Sequence, residues 1–96
     1  MVITVLEALV PTDKAAVLQS TFQNAVDHLD AGIVQTFLLH GLREADLWQI
    51  VTVWESRAAL DAMRQSGETP RGVLIFRAAG AEPGLSVFDV AVHAAA

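Results

Sequence analysis

Residues 2–10, VITVLEALV, form an apolar run rich in β-branched side chains. It stops before Pro11, whose ring steers Val10 towards an extended backbone, so a first strand is predicted there. Ala15, Leu18, Phe22, Ala25, Val26 and Leu29 then recur at helical spacing, with Gln19, Gln23, Asn24 and Asp27 between them. With Thr12 as cap, Asp13 in the first turn and Gly32 as stop, the pattern predicts an amphipathic helix from Thr12 to about Asp30. Two apolar runs follow, residues 33–42 (IVQTFLLHGL) and 47–54 (LWQIVTVW), joined by the short polar turn READ. They read as a β-hairpin. Ser56 caps a second predicted helix that turns Ala59, Leu60 and Met63 inward and ends at Gly67. Thr69 and Pro70 look like a cap and a first-turn proline, which makes PRGVLIFRAAG a short third helix, although VLIF alone equally suits a strand. After the turn AEPG, residues 85–92 (LSVFDVAV) form the last strand, and the alanine tail is expected to fray.

The order β-α-β-β-α-β is the ferredoxin-like split βαβ: an α+β domain with a four-stranded antiparallel sheet and its helices on one face. The strands do not alternate apolar with polar, however. In the first, Val2, Leu6, Ala8 and Val10 on one side and Ile3, Val5 and Leu9 on the other are all apolar; in the third, Trp48, Ile50 and Trp54 oppose Leu47, Val51 and Val53. Such strands are expected where both faces are buried. A second sheet from an identical chain is the simplest cover for the face without helices, which predicts a homodimer with sheets packed face to face.

Composition sharpens this reading. The 96 residues suit a single domain, 1–96, and the 53% hydrophobic fraction includes 35 residues larger than alanine. A monomer of this size hides only roughly 60–65% of its unfolded surface, so some of that apolar area calls for a partner. The absence of cysteine removes disulfides, thiolate zinc sites and thiol nucleophiles, and suits a reducing cytoplasm. Six basic residues, scattered along the chain, stand against eleven acidic ones, which argues against nucleic acid. The opening segment lacks a basic start, carries Glu7 and stops at Pro11, so neither a signal peptide nor a membrane span is expected.

Glu7 interrupts an apolar strand. If its side faces the helices, desolvation makes it a candidate general base; otherwise it is an edge carboxylate or an arginine partner. Asp89 is a second such carboxylate, on a strand expected to neighbour the first. His40, near the end of the second strand, is a candidate proton shuttle. Trp54 and Trp48 share one strand face, where an indole stacks on a flat substrate or, more commonly, fills a core or an interface. Arg71 and Arg77 are candidate holders of a phenolate or ring anion, against the commoner role of surface charge. His28, His40 and His93 show no paired metal spacing, and no P-loop, nucleophile elbow, zinc motif or dinucleotide glycine pattern occurs.

The segment from Trp48 to Leu60, a strand ending Trp54-Glu55-Ser56 followed by a helix with Ala59-Leu60 early in it, resembles the antibiotic biosynthesis monooxygenases of the dimeric α+β barrel superfamily. The element order fits over essentially the whole chain, the motif only over about Ile50 to Leu60. The resemblance implies a dimeric barrel and, in the oxygenases of the family, a reaction without cofactor or metal: a base takes a proton from an electron-rich phenol or anthrone-like ring, and the anion reduces dioxygen directly. On that reading Glu7 and His40 are the catalytic candidates, and Trp54, Met63, Phe76 and Arg77 the contacts to an apolar, aromatic or quinone-like molecule. In the haem-degrading members, the catalytic tryptophan falls at Met63, the haem-ligating histidine at about Val73 and the strand-one asparagine at about Glu7. All three differ here, which argues against haem degradation. The quinol-oxidising members often carry a histidine after the second helix, and GETPRGVLIFRAAG has none. A non-catalytic dimeric binding or interaction module that has lost the active residues is the alternative.

Overall fold

The computed structural model describes residues 1–96. Strands β1 (Val2–Leu9), β2 (Ile33–His40), β3 (Leu47–Trp54) and β4 (Gly84–Asp89) form one antiparallel sheet in the order β2-β3-β1-β4. Helices α1 (Ala15–Ala25), α2 (Arg57–Gln65) and α3 (Arg71–Ala78) complete a ferredoxin-like α+β domain. The segment 71–78 is helical: Pro70 is its N-cap, and its carbonyl accepts from the amides of Val73 and Leu74 at 3.1 and 3.2 Å.

The largest boundary differences from the sequence pattern lie in α1 and the last strand. Thr12 begins a single 3-10 turn with no side-chain cap, so α1 starts at Ala15. The helix ends at Ala25 rather than Asp30, and the Arg71 guanidinium donates to the carbonyls of Ala25 and His28 that this end leaves without helical partners. The last strand ends at Asp89. Ser56 does cap α2, its hydroxyl accepting from the Ala59 amide at 3.1 Å.

Strand register arranges the helix-facing side of the sheet in four rows: His40, Trp48 and Ala8; Leu38, Ile50, Leu6 and Leu85; Thr36, Thr52, Thr4 and Val87; Ile33, Trp54, Val2 and Asp89. A bulge at Val34 in β2 lets Ile33 share the last of these. Two separate apolar clusters pack on this side. One joins Leu6, Val10, Leu18, Trp48, Ile50, Ile75 and Phe76; the other is only Val2, Trp54 and Leu60 under α2. The threonine row lies between them, where the helix layer leaves a gap.

The opposite face has no helix over it. There Leu9 is 61% exposed, Phe88 54%, Leu39 44% and Phe37 43%, while Ile3, Val5 and Val51 are half-buried by their neighbours alone. The expected second apolar face is therefore present, and in the single chain it is open.

Gly32 sets how the loop before β2 meets α2. Its φ is +89°, a left-handed conformation that glycine adopts without strain, and its carbonyl accepts from the Glu55 amide at 2.8 Å. A Cβ there would fall 2.5 Å from Ala59 Cβ. This contact holds the Asp30–Ile33 segment against α2 and, with it, one wall of the gap above the threonine row.

Candidate functional site

The gap between the two clusters is a cavity of about 170 Å³ under the helix layer. Its floor is the sheet, with Thr4, Thr36 and Thr52 flanked by Leu6, Ile50 and Trp54. Phe22 and Ala25 of α1, Leu60 and Met63 of α2, and Gly72 and Val73 of α3 form its apolar walls. Gly72 allows α3 this approach to β1, since a Cβ there would meet Leu6 Cδ1 at 2.5 Å. The volume is comparable with the roughly 150 Å³ apolar cavity that binds benzene in an engineered protein, which is room for one ring.

The floor is polar in an ordered way. Trp54 Nε1 donates to Thr4 Oγ1 at 3.1 Å, in a buried pair. Thr36 Oγ1 donates to the Val51 carbonyl at 3.2 Å and lies 3.0 Å from Thr52 Oγ1. The rim is charged. Arg71 Nη2 pairs with Asp30 Oδ1 at 3.2 Å while the same guanidinium holds the end of α1, and His28 stands beside them on the cavity lining. Both side chains of the ion pair are more than a third exposed, so the pair serves geometry more than stability. On the outer side of this rim lies a wider cleft of about 460 Å³, which shares Asp30, Met63, Pro70 and Arg71 and adds Glu55, Ser66 and Glu68. No cluster of histidine, aspartate and glutamate side chains able to hold a metal ion is present, and no helix is long and apolar enough to cross a membrane.

The cavity brings together Trp54 and Met63 from the sequence-based expectations, and Arg71 with them. It does not include the others. Glu7 is on the open face, not the helix side: β1 buries Val2, Thr4, Leu6 and Ala8, and the alternation of the strand turns Glu7 the other way. There its Oε1 accepts from Gln49 Nε2, its cross-strand neighbour, at 2.7 Å. Asp89 pairs with Val2 and Glu7 with Gly84, so the two carboxylates sit at opposite ends of the β1–β4 ladder, about 17 Å apart at strand spacing. His40 faces the helix side but at the far end of the sheet, stacked on Trp48 at 4.0 Å, with Nε2 2.6 Å from the Ala45 carbonyl.

Phe76 is wholly buried in the larger cluster and fills core, not cavity. Arg77 leaves the site altogether. Its Nε and Nη2 donate to Glu82 Oε2 and Oε1 at 2.9 and 2.8 Å on the surface. That hydrogen bond, ahead of the charge attraction, raises the Arg77 guanidinium and is the first cause holding the Glu82 carboxyl below its ordinary value. The Glu82 contribution is accordingly present above the unfolded carboxylate range and lost as pH falls through the lowered folded value. With both side chains at least half exposed, solvent keeps it small.

The threonine row and His28 are the contributions that sequence patterning passed over. The signal was present as a threonine near the middle of three largely apolar strand faces, in β1, β2 and β3; only register shows that the three meet.

The family model for antibiotic biosynthesis monooxygenases matches residues 1–72. No curated protein matches the chain by sequence. Among solved structures, SnoaB, a cofactor-independent oxygenase from Streptomyces nogalater, superposes with a TM-score of 0.70 at 19% identity, over 96% of this chain and 94% of that one. MhuD, as a point mutant with two manganese protoporphyrin IX molecules bound per active site, gives 0.75 at 18% identity, over 100% of both chains. A Deinococcus radiodurans protein thought to be an antibiotic biosynthesis monooxygenase gives 0.73 at 15% identity, over 100% of this chain and 97% of that one. At these identities the likeness is one of fold.

Proposed function

The chain belongs to the antibiotic biosynthesis monooxygenase family, and from that premise we propose that its cavity binds an aromatic, quinol-like small molecule and oxidises it with dioxygen, without a cofactor. The observation that carries this reading is the apolar cavity of about 170 Å³ with a charged rim, lying between sheet and helices and open at that rim. It can shield one ring from water while leaving a polar edge at the rim. A larger fused-ring substrate would extend past Arg71 into the outer cleft.

The proton acceptor in this reading is His28. Glu7 and His40 lie off the cavity, and Asp30 is held by Arg71. An imidazole can take a phenolic proton at neutral pH, with the nearby guanidinium favouring the anion that forms. That anion passes an electron to dioxygen; one oxygen atom ends on a ring carbon and the other leaves as water with the two hydrogens lost from the ring system. Met63 and Val73 stand on the wall at the positions where the resemblance places the catalytic tryptophan and the ligating histidine of the haem-degrading members. The second reading, a binding module without catalysis, is favoured by the absence of any histidine in residues 67–80, after the second helix.

Oxygen consumption with a panel of hydroquinones and anthrones separates the two. Turnover is expected, reduced about 100-fold or more in His28→Gln, as for loss of a general base, and unchanged in Glu7→Gln. A rate untouched by His28→Gln removes that residue as base. Ligand binding with no oxygen uptake by any substrate leaves the binding module.

We further propose that the open sheet face is the homodimer interface. Its support is the apolar area of Leu9, Phe37, Leu39 and Phe88 on a face that no element of the chain covers.

A further inference from the structure

We infer that the Thr4–Thr52 pair on the cavity floor is a hydroxyl-recognition site, selective for the reduced, phenolic form of the ligand over its carbonyl form. This rests on the reading of the cavity as the ligand site and adds which functional group it accepts.

The argument is a count of protons. Thr36 has one hydroxyl hydrogen, and it donates to the Val51 carbonyl. Its 3.0 Å contact with Thr52 is then a hydrogen bond only if Thr52 is the donor. The Thr52 oxygen, its hydrogen spent, retains lone pairs and acts as an acceptor. Thr4 is the opposite case. It accepts from Trp54 Nε1, and no acceptor within the protein takes its own hydrogen. Only 9% exposed, it cannot satisfy that donor freely in bulk water. Thr4 and Thr52 are direct cross-strand partners on one face, and such residues hold their Cβ atoms about 4.5–5.5 Å apart.

A single hydroxyl seated between them donates to Thr52 and accepts from Thr4, satisfying both. A quinone carbonyl accepts from Thr4 but offers nothing to Thr52, and sets two lone-pair-bearing oxygens near each other. An ether or a methyl group fails one or both contacts. The floor therefore discriminates by the direction of its hydrogen bonds, in a desolvated place where an unmet partner is costly.

The test titrates the intact protein with phenol, anisole and toluene, probes of similar size, following the indole N–H signal of Trp54, whose hydrogen bond to Thr4 makes it a direct reporter. Phenol is expected to bind about tenfold more tightly than anisole or toluene, the scale of one or two net hydrogen bonds, and to move the Trp54 signal most. Thr52→Val is expected to bring phenol down to the level of anisole, since only the contact from Thr4 remains, and Thr52→Ser to restore the preference. Equal affinities of the three probes for the wild type overturn the inference while keeping the cavity as a ligand site. Failure of all three to bind overturns both. The comparison within the wild type needs no variant to fold.

Discussion

Val51→Glu is expected to turn the protein from a species of twice 10.3 kDa into one of 10.3 kDa. Val51 sits in the open-face row Phe37, Val51, Val5 and Ser86, near the middle of the sheet. Packed against a second sheet, it would lose its remaining exposure, and a carboxylate there would be buried with no cation on the face to meet it. Such an unpaired charge costs on the order of 3 kcal/mol or more on each side of a two-fold contact. In the separate chain Val51 is only half-buried, so the glutamate can reach water and the fold should survive. Light scattering at micromolar concentration reads the outcome. A wild type already at 10.3 kDa contradicts the dimer, because an obligate interface holds at that dilution. A variant that stays dimeric moves the interface elsewhere.

Gly32→Ala carries the largest expected loss of stability from a single methyl group. Leaving glycine at a φ of +89° costs about 1–2 kcal/mol for an L-residue, and the added Cβ meets Ala59 Cβ at 2.5 Å, where neither partner has a flexible end to turn aside. Overpacking of that kind costs roughly 1–3 kcal/mol. A combined loss of about 3 kcal/mol lowers the melting temperature of a domain this size by about 12–24 °C. Relief would come through movement of the Asp30–Ile33 segment, so ligand affinity at the rim is expected to fall with it. Calorimetry showing less than about 4 °C of change, the scale of 1 kcal/mol, would mean that the loop accommodates the methyl group without strain.

Glu7 shows why site residues were less legible than the fold. A carboxylate in an apolar strand stands out in any sequence, but which face it occupies depends on which set of alternating residues the helices cover, and both sets in β1 are apolar. Thr4, one of the least conspicuous residues of the same strand, is its polar contribution to the cavity. His40 fails for a different reason: it is on the helix-facing side of the sheet but four residues along β2 from Thr36, at the strand's far end. Arg77 and Arg71 lie six positions apart around α3, and only the positions of Glu82 and Asp30 decide that one is a surface partner and the other a rim residue. Trp54 and Met63 meet on the cavity lining because β3 and α2 are consecutive in the chain, so their mutual placement is local.

Element order, the two-sided apolar strands and the cap at Ser56 are properties of short stretches of chain. Hydrophobic period, turn residues and capping act over a few residues each, and they are enough to specify a ferredoxin-like sheet with one uncovered face. The cavity depended on the tertiary structure. It exists because α1 with α3 and α2 pack as two groups on the sheet, leaving a gap over one row, and because three strands from distant parts of the chain place threonines in that row. Register and inter-helix spacing are set by the sum of all contacts, and no local pattern encodes that sum.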